Sequence, residues 1–445
     1  MAGDVEQAIL DLPATPAGHH VAWWLKRLLA GGEGASAADL ERYTPQLAAN
    51  GPTGGDEDHA RHWRATAGRV GSLVGVDVEP ISDFALDVEL TAVKDRRWKL
   101  SLAVEPRPPH RIARIGLERL HDFRLEVREA TPADSLVLAD IERRCPIETG
   151  DSRTWFDRGE AWFDFARLME DVTVGLAFVD GAPAAETCGA RHTVRIGGAA
   201  RTIVTVSHLR VLPEHQRKGL WGAANGVLGK YWPTVDGSNA FIAVANAGMQ
   251  HGFRHTPDKW PTTLIWARLS TARLAGDPCG RPATPADAAA AAAALGAFHA
   301  GEEMFVPYTA ASLSARLERA PDLYGWDNLR LARGALVGVW PCGRARRQVT
   351  ERGGVQTISE PGVVLDYAYA PGAEQAFRAL IGDWCARLAG QGMDSLTILT
   401  SPASPGANLI ATLADETEHF NHWTPGIPPP PDAGERGLYI DPVYF

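Results

Sequence analysis

The run Leu212-Pro-Glu-His-Gln-Arg-Lys-Gly-Leu220 sets three donor-bearing side chains, Gln216, Arg217 and Lys218, directly before Gly219. The residues ahead of it, Leu209, Arg210 and Val211, read as the end of a strand. Those after it, Leu220, Trp221 and Gly222 onward to Leu228, read as a helix. At such a junction the first helical N–H groups have no intrahelical partner and lie at the positive end of the helix dipole. A glycine there lets the backbone approach a ligand closely. The chemistry this serves is the holding of an anion, most directly a pyrophosphate.

The rest of the chain must position that turn. At 445 residues, two to four domains are expected, and 45% hydrophobic with 22% charged residues is an ordinary globular composition. A formal charge of −10 speaks against general binding of nucleic acid, and a basic turn within an acidic chain suits a small anionic ligand. No apolar run is long enough to span a bilayer, so no membrane partner is expected. The start, Met-Ala-Gly-Asp-Val-Glu-Gln, is acidic and has no signal-peptide character; a cytoplasmic location is expected. Five scattered cysteines with no CxxC pair indicate neither a zinc site nor a disulfide framework, and no metal is expected.

Residues 1–120 read as a small α+β domain. A helix covers His20 to Leu29, another lies around Arg61 to Val70, and strands follow at Phe84–Val93, Trp98–Val104 and Ile112–Leu117. Lys94-Asp95-Arg96-Arg97 is the expected hairpin turn between the first two strands. The remainder repeats. Ala130-Thr-Pro-Ala-Asp134 recurs as Ala283-Thr-Pro-Ala-Asp287, Ala166-Arg-Leu168 matches Ala315-Arg-Leu317, and Leu212-Pro213 falls where Ala370-Pro371 falls, at offsets of about 149 to 158 residues. Val172–Val179 has a counterpart in Leu329–Trp340. Two copies of one fold, over 121–275 and 281–445, are therefore expected. The second copy looks degenerate: Pro371 to Leu380 is read as lacking the turn glycine, and Glu374 stands where the first copy is basic. A final strand is expected over Leu438–Phe445.

Strand, Leu-Pro-Glu-His-Gln-Arg-Lys-Gly-Leu, helix resembles the acyl-CoA-binding motif of the Gcn-related N-acyltransferases (GNAT), whose pattern is Q/R-x-x-G-x-G/A. Gln216-x-x-Gly219 fits, with Trp221 at the third small position and Gly222 after it. Trp98–Val104 and Pro109–Leu117 resemble a cystatin-like domain. The resemblance implies a mixed α+β and α/β chain: a cystatin-like domain, a GNAT domain and a degenerate GNAT copy, as in tandem acyltransferases of actinomycetes. It implies that N–H groups of Arg217 to Gly222 hold the pyrophosphate of acetyl-CoA or another acyl-CoA. Leu209, Arg210 and Val211 would pair with the pantetheine arm as an added strand. Asn246 either hydrogen-bonds that arm or forms a turn. Trp221 either packs on the coenzyme or, the simpler reading, fills the helix–sheet interface.

The implied reaction is acyl transfer to the amine of a small cationic metabolite, in specialised metabolism, by a monomer or homodimer. A decarboxylase, hydrolase or carrier-protein-dependent transferase, and a non-catalytic acyl-CoA-binding module, are the alternatives. Amine transfer needs a base, a polarised carbonyl and an acid for the thiolate. Thr205, Ser207 and His208 lie on the strand before the turn. Alternation puts Thr205, Ser207 and Leu209 on one face and His208 on the other, as a base or as a packed histidine. His192 and Glu186, on a segment from Ala184 to Val194, are further candidates. The family's tyrosine before a Gly-Phe pair has no equivalent at Gly252-Phe253; either His251 or His255 substitutes, or thiolate release needs no enzymic acid. In Trp155 to Phe165, Asp157, Glu160 and Asp164 can bind an ammonium group with Trp155 and Trp162 as its apolar face, or the segment is an amphipathic helix packed on the other lobe.

Overall fold

A computed structural model describes residues 2–31, 33–48, 56–93, 96–149, 151–244, 246, 249–250 and 258–444. Gly252, Phe253, His251, His255, Lys94, Asp95 and Phe445 lie outside these residues. The chain divides into two compact units, Met1–Arg124 and Leu125–Phe445. No helix among the described residues is long and apolar enough to cross a membrane.

The first unit packs helices Ala2–Leu10, Pro16–Leu29 and Asp56–Val70 on a four-stranded antiparallel meander. Strands Ala85–Ala92 and Arg96–Val104 alternate strictly between buried and part-exposed residues over most of their length, which is what one core-facing side requires. Trp24, Trp63 and Trp98 are buried in that core. The edge strand Leu73–Ser82 was missed in the sequence although Val74, Val76 and Val78 alternate with Gly75, Asp77 and Glu79; Gly75 and Pro80 interrupt it, as an edge strand permits.

The second unit is built on one twelve-stranded sheet. In chain order its strands are β1 (Leu125–Glu129), β2 (Asp171–Val179), β3 (Ala182–Ile196), β4 (Ala199–Val211), β5 (Gly237–Ala243), β6 (Leu264–Ser270), β7 (Arg281–Pro282), β8 (Leu329–Ala332), β9 (Ala335–Trp340), β10 (Pro361–Tyr369), β11 (Ser395–Thr400) and β12 (Glu416–Trp423). Their order across the sheet is β1-β2-β3-β4-β5-β12-β6-β11-β10-β9-β8-β7. The order reads alike from both edges: five strands of one half, then the last strand of the other half. β12 inserts between β5 and β6, and β6 between β12 and β11, so each half completes the other.

The helices are α1 (Ser135–Arg144), α2 (Leu220–Ala224), α3 (Ala288–Phe298), α4 (Ala310–Arg319) and α5 (Glu374–Gly390). Both Thr-Pro-Ala-Asp repeats form capping boxes just before a helix, and each aspartate also takes a paired arginine, Arg128 on Asp134 and Arg281 on Asp287. α2 is one short α-turn that tightens to 3₁₀ over Asn225–Lys230. That segment lies so close on the sheet that a Cβ on Gly189 of β3 would meet Leu228 at 2.5 Å.

Three expectations are corrected. Leu329–Trp340 is a hairpin, β8–β9, rather than one strand, because Gly334 turns the chain at φ +83. Trp155 belongs to a strand, Ser152–Phe156, paired with Gln348–Arg352, so Trp155–Phe165 is not one amphipathic helix. Past Leu438 the chain leaves its two-residue strand and ends in a 3₁₀ turn, Pro442–Tyr444.

Candidate active site

β4 and β5 run parallel for only three residue pairs, Ile203–Thr205 against Gly237–Asn239. Past Thr205, β4 stays with β3 while β5 turns to pair with β12, which opens a wedge along Val206–Val211. Among the described residues, no group outside β3 hydrogen-bonds the backbone of Val206 to Leu209. An edge of this kind is a template for an added extended ligand. The wedge leads into the basic turn. There Arg217 and Gly219 both adopt positive φ, at 65° and 84°, and Gly219 caps α2. Gln216 donates from Nε2 to the Val211 carbonyl at 3.5 Å, and Lys218 Nζ lies 3.3 Å from His215 Nδ1. Leu220 is buried and anchors the helix, whereas Trp221 is 48% exposed. The reading of Trp221 as filler of the helix–sheet interface is therefore corrected. Gly222 is exposed as well. Asn246 is occupied locally: its Oδ1 accepts from the Met249 N–H and its carbonyl from the Gln250 N–H.

The wedge begins beside a bulge. Ser207 faces Cys188 and Arg210 faces Glu186, so two residues, His208 and Leu209, oppose Thr187 alone. His208 takes φ +48, a region that residues with a Cβ avoid. The extra residue resets the alternation. Simple period-2 counting sends Ser207 and Arg210 to opposite faces. The bulge instead puts both on the face of Glu186 and Cys188, and His208 packs there too. The expectation that His208 lies on the opposite face from Ser207 is thereby corrected.

On that face His208 Nδ1 lies 3.2 Å from Glu142 Oε1, and Arg210 Nη1 lies 3.2 Å from the same oxygen and 3.2 Å from Glu186 Oε1. Arg158 Nε lies 3.2 Å from Glu142 Oε2. Phe165 stacks on the His208 ring at 4.5 Å and Trp162 meets it edge-on at 5.5 Å. Trp162 is fully buried and offers no face to a ligand, while Glu160 is exposed and Asp157 is tied to Arg347 through its backbone N–H. Further along the same face, His192 Nε2 and Thr205 Oγ1 are hydrogen-bonded at 2.7 Å. Tyr444 stacks on His192 at 4.0 Å, which brings the far end of the chain against β3.

Burial governs the protonation of these groups. It lowers His208 to about 3, helped by the Arg158 charge, and lowers His192 to about 4; both imidazoles are neutral near pH 7. Burial raises Glu186 well above the usual carboxylate range, and the Glu142 charge adds to this against the opposing pull of Arg210. For Glu142 burial acts in the same sense, but Arg158, Arg210 and the His208 hydrogen bond outweigh it and keep the carboxylate ionised. Glu142, Glu186 and His208 place one ligand atom each within 4.8 Å of one another, a spacing that suits a metal ion. Two guanidinium groups already sit on those carboxylates, so an added cation would meet repulsion rather than uncompensated negative charge.

Glu142 and Arg158 did not stand out in the sequence. A signal was present: in α1, Leu138, Ile141 and Glu142, with Cys145 at its C-cap, form one stripe, and the first three are fully buried. A glutamate within an apolar stripe needs a buried partner.

The second half repeats the wedge and fills it. β10 and β11 pair over Pro361–Val363 and Ser395–Thr397 and then part, and β10 carries an extra residue, Leu365, against β9. Here Tyr439 Oη donates to the Leu365 carbonyl at 2.7 Å and His299 Nε2 to the Tyr367 carbonyl at 2.9 Å. Contrary to expectation, the turn before α5 does have its glycine: Gly372 adopts φ +83. Its N–H donates to Glu374 Oε1 at 3.2 Å, so a carboxylate of the chain itself sits at that turn.

No protein-family model and no curated protein matches the chain in sequence. Among solved structures, it is similar to Saccharomyces cerevisiae N-myristoyltransferase with bound myristoyl-CoA, at a TM-score of 0.51 and 11% identity over 76% of this chain and 92% of that one. A second structure of the same enzyme with myristoyl-CoA gives 0.50 and 12% over 72% and 86%. The likeness defines the class of fold: this is a GNAT-type fold.

Proposed function

We propose that the protein is an acyl-CoA-dependent N-acyltransferase whose acceptor is the amine of a small molecule. The observation that carries this reading is the contrast between the two wedges. Among the described residues, the first leaves the backbone of Val206 to Leu209 unbonded beyond β3 and ends in a basic, glycine-capped turn. The second has its corresponding carbonyls bonded by Tyr439 and His299 and its turn capped by Glu374. The first is thus the place for a coenzyme, with pyrophosphate at Gln216–Gly222 and the pantetheine arm along Val206–Val211. The fold likeness to an enzyme crystallised with myristoyl-CoA supports the same ligand class.

In this reading the arm delivers the thioester carbonyl to the bulge at His208 and Leu209, where backbone N–H groups polarise it. On the adjoining face His192 is a neutral imidazole able to take the amine's proton. Glu186, kept protonated by burial, has a proton to give to the departing thiolate. The amine attacks the carbonyl carbon, the C–S bond breaks, and an amide and CoA leave.

Calorimetric titration with acetyl-CoA and with myristoyl-CoA checks the reading. The expected result is saturable binding of at least one of them at one site per chain. Absence of binding to both by the folded protein sinks the proposal, and two equivalent sites contradict the filled second wedge.

A further inference from the structure

We propose that Glu142 is a positioning residue for acyl transfer: bridged to Arg158 and Arg210, it holds His208 in the bulge and so sets the N–H groups that meet the thioester carbonyl. The inference rests on the acyl-CoA reading of the wedge. Three observations support it. First, His208 keeps φ +48 although it has a Cβ, so something beyond the backbone must hold it there. Second, its ring is pinned on two sides, by Phe165 stacked at 4.5 Å and by Glu142 Oε1 at 3.2 Å from Nδ1. Third, the Glu142 carboxylate is itself immobilised. It is 1% exposed, with Arg158 at one oxygen and Arg210 at the other, and Arg210 reaches on to Glu186 on β3. Helix α1, the segment at Arg158, β3 and β4 are thereby tied together at one point. The Arg158–Glu142 contact is an ion pair without a hydrogen bond, so the carboxylate is tied to the bulge chiefly through Oε1, which meets both His208 and Arg210 there.

The test compares two ligands that differ only at the carbonyl. Acetyl-CoA has it; S-ethyl-CoA, the thioether, lacks it. For a longer-chain site the pair is myristoyl-CoA and S-tetradecyl-CoA. One hydrogen-bonded carbonyl should favour the thioester by between about two- and tenfold in Kd in the wild type. Glu142→Gln is expected to erase that preference while leaving thioether binding within about twofold. Glu142→Asp, which keeps the charge balance and the fold while drawing the carboxylate back by one methylene, should do the same. Glycine accepts positive φ without a side-chain anchor. His208→Gly should therefore retain the preference, and adding it to Glu142→Gln should restore it. A merely structural role for Glu142 predicts no such rescue. Retention of the preference in both Glu142 variants, or failure of His208→Gly to restore it, overturns the inference. If the wild type binds neither thioester nor thioether, the acyl-CoA reading itself falls, a result distinct from an altered ratio.

Discussion

Gly219→Arg is expected to weaken acyl-CoA binding by roughly a hundredfold or more while leaving the protein folded. Two effects act together. The residue sits at φ +84, where any Cβ is strained, so the turn must rearrange. A side chain there also occupies the space through which the backbone approaches the pyrophosphate. Charge-assisted hydrogen bonds to phosphate contribute about 1.5–3 kcal/mol each, so losing two of them weakens binding by roughly a hundredfold or more. Gly372→Arg is the internal control. It has nearly the same φ, +83, at the corresponding turn of the second half, yet it should leave affinity unchanged because Glu374 already occupies that turn. Titration of both variants, with their thermal unfolding curves, measures this. Equal loss in both means that the first turn has no special part in binding.

The second large effect is on stability. His422, on β12, is fully buried against Phe241 and Trp260, with ring centroids 5.2 and 5.4 Å away, and neither ring nitrogen has a hydrogen-bond partner among the described residues. Burial lowers it to about 3. His208 and His192 are lowered in the same way, to about 3 and about 4. In the unfolded chain each takes up a proton near pH 6.5, whereas the folded state stays neutral. The unfolded state therefore binds more protons as pH falls below about 6.5, and stability is lost down to the folded values. Each histidine contributes a slope of about 1.4 kcal/mol per pH unit at its steepest. Glu186, whose folded value is raised, opposes them: it favours the folded state at low pH and loses that contribution as pH rises. His422→Phe removes two unsatisfied polar atoms and one proton site at similar volume. Its stabilisation in urea melts should be about 2 kcal/mol greater at pH 5 than at pH 7. An equal effect at both values would show that His422 titrates normally in the folded state.

Much of the site was legible as a local pattern. Strand, basic turn, glycine and helix are encoded by neighbouring residues, and both aspartate capping boxes follow from four-residue motifs. What escaped was set by distant partners. The side of the sheet that His208 faces depends on one extra residue in the register with β3, which no period-2 count contains. Trp155 became a strand residue because Gln348–Arg352 lies beside it, nearly two hundred residues away. The exchange of β6 and β12 between halves has no local signature either. The missing glycine of the second turn was an error of alignment: the offset of 158 from Leu212-Pro213 to Ala370-Pro371 carries Gly219 to Phe377, whereas the offset of 153 between the two Thr-Pro-Ala-Asp motifs carries it to Gly372, and the decisive feature was Glu374 folding back on it. The edge carbonyls of the second wedge take their donors from Tyr439 and His299, which no alignment of the repeats would pair with them.

The most direct measurement of the central claim is a structure of the protein with the acyl-CoA that binds in titration. The account predicts pyrophosphate on the backbone of Gln216–Gly222, the pantetheine arm paired along Val206–Val211, the thioester at the bulge of His208 and Leu209, and nothing in the second wedge. Coenzyme seated between β10 and β11, or bound away from both wedges, would contradict it.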